Sequence, residues 1–267
     1  YNIILKSRQT GLSVITAAYV AWRLLFMSNE RILILANSGI GAKRFLDHVK
    51  KFIDAVPNFL QPMNGKKEGR LKWNDTHIQF SNQSWAKSVA ASPQAGRGEN
   101  LTLVILDEFA FVKDDQSIWT SVSFALSASQ GDCIMISTPH GSGNEYHSNW
   151  VQAENGTGRF NPIRVHWTEN PLCSKGLKTS NINGKTVMWS PWYEEQKQKL
   201  KYDSTLIAQE LDLSFLGSKL LAVDEDIIIG HRDRITNGDI KPSWYFDHKR
   251  ALFIEAKNDF WVWKTPQ

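Results

Sequence analysis

Cysteine, long apolar runs and a strong charge of either sign are all missing from this chain. Two cysteines in 267 residues cannot form a disulfide framework, so a reducing cytoplasm suits the chain better than an oxidising compartment. No stretch is long and apolar enough to span a membrane, and no signal peptide opens the chain, so we expect no membrane partner. Lys and Arg outnumber Asp and Glu 31 to 27, an excess that permits a polyanionic partner without indicating one.

The hydrophobic pattern predicts an α/β fold with a mainly parallel central sheet flanked by helices. At 42% hydrophobic content, 267 residues can bury one large core, or a core and a small lobe. The predicted strands are Asn2–Leu5, Arg31–Ala36, Leu101–Leu106, Cys133–Ile136 and Phe160–Trp167, with a β meander over Arg70–Ala91. The predicted helices are Ser13–Met27, Ile40–Val56 and Trp192–Tyr202, with a βα turn at Gly39–Gly41 and a long surface loop at Asn170–Ser190. We expect residues 1–217 to form the core and residues 218–267 a small C-terminal lobe and linker.

A segment similar to a P-loop joins the first predicted strand to the first predicted helix. It consists of Lys6, Ser7, Arg8, Gln9, Thr10, Gly11, Leu12 and Ser13. In the usual pattern, G-x-x-x-x-G-K-[ST], backbone N–H groups and a lysine hold the phosphates while the hydroxyl binds Mg²⁺. Gly11 and Ser13 fit this pattern, but Leu12 stands at the lysine position. Lys6 can supply the missing cation if the loop curls back over the phosphates. The alternative is an ordinary strand–turn–helix in which Ser13 caps the helix.

Two adjacent carboxylates, Asp107 and Glu108, follow the apolar strand Leu101–Leu106. So apolar a strand is typical of the centre of a parallel sheet, and the carboxyl ends of such strands form the ligand crevice of open α/β sheets. There Asp107 can hold Mg²⁺ and Glu108 can polarise an attacking water. A solvated acidic turn is the alternative, and the P-loop candidate in the same chain argues against it.

Two arginines and two hydroxyls complete the set of candidates. Arg97, on a glycine-flanked loop before the apolar strand, and Arg8, inside the phosphate loop, compete for the role of arginine finger. A solvated loop arginine accounts for Arg97 equally well. Ser137 and Thr138 end a short buried strand, where their hydroxyls could sense the terminal phosphate; on spacing alone they form an ordinary Ser/Thr-Pro turn.

Four segments, taken in order, resemble motifs of a known family. They are KSRQTGLS, then SPQAGRG followed by LVILDEFAF, then ISTPHG, and finally IAQELDLSFLG. Together they look like the ATPase domain of the terminase large subunit, the DNA-packaging motor of tailed double-stranded DNA phages. The resemblance implies a P-loop (ASCE/RecA-like) ATPase whose Walker A motif begins with its lysine, Lys6, as in some members. It also implies that Asp107 is the Walker B aspartate and Glu108 the catalytic glutamate. The implied metal ligands are Ser13 and Asp107, the implied coupling motif is Ser137 and Thr138, and the implied arginine finger is Arg8 or Arg97.

The same resemblance implies cofactors, partners and a cellular place. The cofactors are ATP and Mg²⁺, and hydrolysis would power translocation of double-stranded DNA into a phage procapsid. A portal protein and a small terminase subunit are the expected protein partners. The expected assembly is a homo-oligomeric ring, with the isolated domain able to exist as a monomer. A virally encoded motor of this kind acts in the host cytoplasm and is not expected in the mature virion.

The chain departs from the family pattern in ways that keep other hypotheses open. Leu12 leaves phosphate neutralisation to Lys6, and the family's adenine-contacting glutamine motif would precede the first strand. The family's nuclease domain is built around metal-binding aspartates, whereas this sequence has only a local acidic run at Asp224–Asp226, so we expect no nuclease activity. The competing hypotheses are a helicase-like DNA-dependent ATPase and a docking domain whose P-loop has decayed.

Overall fold

In the computed structural model, the chain divides into two compact units, Tyr1–Leu220 and Leu221–Gln267. The structure describes residues 1–61, 69–182, 185–215, 244–247 and 252–255. In the second unit, the described strands Trp244–Asp247 and Leu252–Glu255 pair antiparallel. The acidic run Asp224–Asp226 lies outside the described residues. The lobe-and-linker role of the C-terminal region stays a prediction.

Eight strands form the sheet of the first unit. They are β1 (Asn2–Lys6), β2 (Arg31–Ala36), β3 (Arg70–Trp73), β4 (His77–Phe80), β5 (Trp85–Ala90), β6 (Leu103–Asp107), β7 (Asp132–Ser137) and β8 (Asn161–Val165). Their order across the sheet is β3-β4-β5-β2-β6-β7-β1-β8. All neighbours from β5 to β8 in this order are parallel, whereas β3 and β4 form the predicted antiparallel meander with β5. The predicted mainly parallel α/β fold is confirmed.

Helices cover both faces of this sheet. They are α1 (Leu12–Phe26), α2 (Gly39–Ala55), α3 (Asp115–Ser129) and α4 (Glu145–Glu154). Successive strand residues point to opposite faces, so Ile34 of β2 packs in the cluster formed with α1 and α2, while Leu33 and Leu35 pack in the cluster formed with α3 and α4. The central strand β6 is buried along its whole length, which explains why its sequence shows no polar face. Among the described residues, no helix combines the length and hydropathy needed to cross a bilayer.

The region after β8 differs from its prediction. Instead of the surface loop predicted over Asn170–Ser190, it contains a hairpin of β9 (Lys178–Ile182) and β10 (Lys185–Trp189). The helix predicted over Trp192–Tyr202 is present as α5 (Pro191–Lys199), and α6 (Ser204–Glu210), which was not predicted, follows it. Thr186, Val187 and Trp189 belong to the β-branched and aromatic types that favour strands, which accounts for β10.

The glycines predicted to form a βα turn belong instead to the first turn of α2, which begins at Gly39. Ser38 explains this start, because its Oγ accepts the N–H of Gly41 at 3.1 Å and so caps the helix. An N-capped helix tolerates glycine in its first turn, where backbone groups lack helical partners in any case.

Candidate active site

The candidate residues from both motifs lie at one edge of the sheet. Lys6 is the last residue of β1 and Asp107 the last residue of β6, and only β7 separates these parallel strands. Glu108 follows with a φ of 54°, and a short 3-10 helix, Phe109–Phe111, begins directly after it. Positive φ is uncommon for a residue that has a side chain, and such conformations cluster at functional sites. The turn therefore holds Glu108 at the same edge as Lys6.

The loop between β1 and α1 turns on one glycine. Gly11 has φ 80° and ψ 4°, a left-handed conformation that residues with side chains rarely adopt. Its carbonyl accepts the N–H groups of Val14 and Ile15, each at 3.0 Å, and so opens the helix. No side chain caps α1, and the positive end of its dipole is therefore available to an anion.

Lys6 and Glu108 form a salt bridge, with Nζ 2.8 Å from Oε1. The Lys6 side chain is only 7% exposed, while that of Glu108 is 32% exposed. A nearly buried ammonium needs a charged or hydrogen-bonding partner, and the carboxylate of Glu108 supplies one. The amine at the entrance of the loop thus contacts the carboxylate that we expect to activate water.

Ser13 and Asp107 make the second contact between the two motifs. The Ser13 hydroxyl donates to Asp107 Oδ1 at 2.9 Å. Burial, and then the neighbouring charge of Glu108, raise the pKa of Asp107 to about 6, although the Ser13 hydrogen bond and Lys6 oppose that rise. A carboxyl group with its pKa raised in this way at a sheet-edge crevice is a functional-site candidate on physical grounds.

The oxygen atoms of Ser13 and Asp107 fit a hard divalent cation. Mg²⁺ usually takes one or two protein oxygens and completes its shell with water and substrate phosphates. In the part of the chain that the structure describes, no group of three or more His, Cys, Asp or Glu side chains forms a metal cluster. Ser13 and Asp107 are thus the two oxygen-bearing side chains that could belong to such a shell.

Ser7 and Arg8 tie the phosphate loop to the end of α6. Ser7 is fully buried, and its Oγ donates to the Leu211 carbonyl at 2.6 Å and accepts the Trp167 N–H at 3.0 Å. The Arg8 N–H donates to the Glu210 carbonyl at 2.7 Å, and Arg8 Nη1 lies 3.2 Å from Glu210 Oε2. This region belongs to the segment IAQELDLSFLG, one of those that resemble family motifs, and nothing in the sequence indicated that it supports the loop.

Gln9, Thr10 and Leu12 occupy the rest of the loop. Gln9 is exposed, with a φ of 61°, and Thr10 donates its hydroxyl to the Ser7 carbonyl at 3.0 Å. Leu12 is half-buried as the first residue of α1. These three side chains supply no cation, which leaves Lys6 and Arg8 as the charged groups of the loop.

Arg97 lies apart from the other candidates. It is exposed on the loop between β5 and β6, and its Nε lies 3.4 Å from the hydroxyl of Ser121 on α3. No hydrogen bond or salt bridge among the described residues joins it to Lys6 or Glu108. Its role as an arginine finger stays a prediction.

Hydrogen bonds connect the end of β7 to the acidic turn, and a tyrosine hydroxyl links it to β1. Ser137 and Thr138 are buried, and Ser137 Oγ accepts the N–H of Ala110 in the acidic turn at 3.2 Å. The Tyr146 hydroxyl, on α4, donates to the Ile4 carbonyl of β1 at 2.7 Å and lies 3.5 Å from the Ser137 carbonyl. Sequence reasoning missed Tyr146, because one tyrosine on an unrecognised helix gives no signal.

The chain is similar to known proteins in sequence and in fold. A family model described as "Terminase large subunit, T4likevirus-type, N-terminal" matches residues 3–221. A solved variant of the large terminase ATPase domain of Thermus phage P74-26 is similar at a TM-score of 0.55 and 17% identity, over 80% of this chain and 88% of that one.

Two longer solved proteins are similar over about half of their own length. The large terminase of HK97 bacteriophage has a TM-score of 0.55 and 18% identity over 79% of this chain and 46% of that one. A large terminase from a thermophilic bacteriophage, in complex with ADP, has a TM-score of 0.55 and 12% identity over 80% of this chain and 48% of that one. At these identities the likeness shows that the fold is shared.

Proposed function

This chain belongs to the T4-like-virus-type terminase large-subunit family, and we propose that it is a Mg²⁺-dependent ATPase that powers translocation of double-stranded DNA into a phage procapsid. The related large terminase solved with ADP supports the nucleotide part of this proposal. The DNA part rests on the family.

One observation supports the proposal best. Two segments about a hundred residues apart meet beside the uncapped N-terminus of α1. The ammonium of Lys6 contacts the carboxylate of Glu108, and the hydroxyl of Ser13 contacts the carboxylate of Asp107. Each group is of the type that phosphoryl transfer requires, because catalysis of this reaction consists of positioning and charge neutralisation. A decayed P-loop would have no reason to retain all four in contact.

We assign the steps to these side chains as follows. The triphosphate binds at the N-terminus of α1, where the ammonium of Lys6 exchanges its contact with Glu108 for phosphate oxygens. The released carboxylate of Glu108 then accepts a hydrogen bond from a water and orients that water toward the terminal phosphorus. A new P–O bond forms to the water oxygen as its proton passes to the carboxylate of Glu108, the bond between the terminal phosphorus and the β-phosphate oxygen breaks, and ADP and inorganic phosphate result.

Ser13 Oγ and Asp107 are the side-chain groups that would hold Mg²⁺. Bound there, the ion neutralises charge that develops between the terminal phosphates. The Ser13 hydroxyl also keeps Asp107 oriented toward the helix N-terminus.

Hydrolysis assays on the purified chain test the proposal. We expect Mg²⁺-dependent release of phosphate from ATP, abolished by EDTA. Glu108→Gln should abolish turnover while sparing nucleotide binding, and the exposed Glu154→Gln serves as the matched control. Unchanged turnover in Glu108→Gln would remove this residue from the mechanism. Absence of hydrolysis by the wild-type chain with Mg²⁺ and DNA would favour the docking-domain hypothesis.

The remaining assignments are proposals of the same kind. We propose double-stranded DNA, a portal protein and a small terminase subunit as partners, a homo-oligomeric ring as the working assembly, and the host cytoplasm as the place of action. Stimulation of hydrolysis by duplex DNA and by purified portal tests the first two. Strand separation of a duplex, measured in place of its movement, would support the helicase-like alternative.

A further inference from the structure

Among the described residues, the face of β4 and β5 opposite α2 is only partly covered: Trp85 packs, half-buried, against the cluster formed with α3 and α4. Strands β4 and β5 alternate, so that every second residue is buried on the side of α2. The opposite face presents His77, Gln79, Trp85 and Lys87, paired across the strands as His77 with Lys87 and Gln79 with Trp85. Arg31, at the start of β2, lies beside Trp85 on the same face.

This face forms a groove of about 600 Å³, bounded on one side by the loop residues Glu99 and Asn100. The groove lies at the N-terminal ends of β2 and β5, whereas Lys6 and Asp107 lie at the C-terminal ends of β1 and β6. Since a strand rises about 3.3 Å per residue, the groove and the candidate active site are separated by roughly the length of a strand, about 15–20 Å. The groove is therefore a separate site.

Positive charge predominates in the groove. Arg31 and Lys72 are exposed, and Lys72 lies beside Gln79 in the strand register. Of the residues that line the groove, Arg31 and Lys87 are cationic and Glu99 is anionic, and Lys87 is paired with Glu99. Nearby Asp75, in the turn between β3 and β4, is paired with Lys43 of α2. The lining residues carry a net charge of +1, and Lys72, beside Gln79, adds a further positive charge at the border of the groove, which suits a polyanion.

The groove also offers an aromatic ring and unpaired polar atoms. The Lys87 ammonium lies 4.8 Å from the centre of the Trp85 ring, and the His77 ring lies edge-on to that indole at 6.0 Å. His77 Nε2 and Glu99 Oε2 are buried and have no hydrogen-bond partner among the described residues. Orphaned buried polar atoms are rare in folded proteins and call for an explanation. A ligand that donates and accepts hydrogen bonds would satisfy both.

We propose that this groove binds DNA. Arg31, Lys72 and Lys87 contact phosphodiester oxygens, and Trp85 packs against a sugar or base of the same strand. A nucleic acid fits better than a simple anion, because it combines phosphates with the apolar and hydrogen-bonding surface that Trp85, His77 and Glu99 require. The choice of DNA over RNA rests on the proposed packaging function; the charge and the ring do not distinguish them.

Salt-dependent DNA binding by the whole chain tests this inference. The probes are a 30-base-pair duplex and its single strand, each in two unrelated sequences, measured by fluorescence anisotropy over a range of salt concentrations. In the double variant Arg31→Gln/Lys72→Gln, affinity should fall equally for both sequences. The slope of log K against log salt should become shallower by about 1.8 for the duplex or about 1.4 for the single strand, the values for two lost phosphate contacts.

The matched control removes the same charge elsewhere. Lys51→Gln/Lys199→Gln changes two exposed lysines on α2 and α5 and should leave the slope near the wild-type value. Trp85→Phe should weaken binding without changing the slope, because it removes ring area and no charge. The form of DNA that shows the larger loss in the groove variants is the form that the groove binds.

Two outcomes overturn the inference: no DNA binding by the wild-type chain, or equal slopes for the groove and control variants. The groove variants should retain basal ATP hydrolysis within about twofold, because their residues lie at the opposite edge of the sheet from the candidate active site. ATP hydrolysis by the wild-type chain, together with equal slopes for the groove and control variants, would support the ATPase proposal and overturn the DNA site. Altered slopes in the groove variants, together with no hydrolysis by the wild-type chain, would support the DNA site and contradict the ATPase proposal.

Discussion

The Lys6 ammonium lies 2.8 Å from the Glu108 carboxylate, although 102 positions separate the two residues in the sequence. This pair joins the phosphate loop to the acidic turn, and it keeps the carboxylate of Glu108, the expected general base, in contact with the ammonium of Lys6. In the proposed mechanism, an incoming triphosphate would compete for the ammonium, so that nucleotide binding and release of the carboxylate would be the same event. The contact places an amine from the front of the loop beside the acidic turn, and its role as a substitute for the lysine missing at Leu12 stays a prediction.

Removing this amine should disable the site. In Lys6→Ala, we expect kcat/KM for ATP to fall at least about a hundredfold, because the phosphate charge is left unneutralised. Nucleotide affinity should fall as well, measured by fluorescence titration with a labelled ATP analogue. Lys113→Ala, which changes an exposed lysine close to the acidic turn, is the control and should behave as the wild type.

A second variant tests whether Lys6 truly substitutes for the missing lysine. Lys6→Ala/Leu12→Lys places an amine at the usual P-loop position, so it should recover part of the lost affinity and turnover. Normal nucleotide affinity in Lys6→Ala alone would contradict the displaced-lysine hypothesis.

The raised pKa of Asp107 predicts a pH-dependent stability in the free protein. Its pKa is about 6 in the fold and 3.8 ordinarily, so between these values the folded state binds more protons than the unfolded state. Stability contributed by the neutral form is therefore full below pH 4 and is lost as the pH rises through about 6. The shift corresponds to about 3 kcal/mol.

Urea unfolding in EDTA between pH 4 and 8 measures this effect. Asp107→Asn should be more stable than the wild type above pH 6, by up to about 3 kcal/mol, and the difference should vanish near pH 4. Ser13→Ala removes a hydrogen bond that lowers the pKa of Asp107, so in that variant the loss of stability should shift to higher pH. A difference between Asp107→Asn and the wild type that stays constant with pH would refute the assignment.

The sequence predicted the strands and the first two helices well because their side chains follow a clear period. The apolar strand of β6 and the alternating residues of β4 and β5 needed no tertiary information. Helix α3 was missed, because Asp115–Ser129 is rich in Ser, and an exposed phenylalanine, Phe124, obscures the buried spacing of Ile118, Val122 and Leu126. Tertiary packing of those three residues stabilises a helix that local propensity does not indicate.

Some features of the candidate site could likewise be predicted from the sequence, and others could not. That Ser13 and Asp107 lie together follows from strand order alone, because parallel strands present their carboxyl ends at one edge. The pairing of Lys6 with Glu108 depends on the left-handed φ at Glu108, which no sequence pattern indicates. The support of the loop by Glu210 depends on a contact across 202 positions, which periodicity cannot reveal. The catalytic roles of these residues stay predictions.

Tyr146 should act on the site by positioning two strands. Its hydroxyl bonds to the Ile4 carbonyl, two residues before Lys6, and approaches the carbonyl of Ser137. Tyr146→Phe removes the hydroxyl alone, so we expect the free energy of unfolding to fall by about 1 kcal/mol. Because the strand ends lose a shared constraint, kcat for ATP should fall more than KM changes.

Tyr202→Phe is the control for this prediction, because the Tyr202 hydroxyl bonds to Glu194 in an exposed position. Its effects on stability and turnover should both be small. If Tyr146→Phe lost stability but kept the wild-type kcat, Tyr146 would be a purely structural residue.

Two glycine variants test how tightly α3 is joined to β7. A Cβ on Gly131 would lie 2.3 Å from the Leu101 carbonyl oxygen and 2.9 Å from a methyl group of Leu126, so Gly131→Ala forces backbone to move. We expect a loss of about 1–3 kcal/mol, measured by urea unfolding. Gly39→Ala is the matched control, because its Cβ would meet no atom within 4 Å and the residue begins α2, so stability should stay equal or rise by up to about 1 kcal/mol. Equal stability of the two variants would mean that the start of β7 shifts at little cost, and the spacing between β6 and β7 would then be less rigid than the packing indicates.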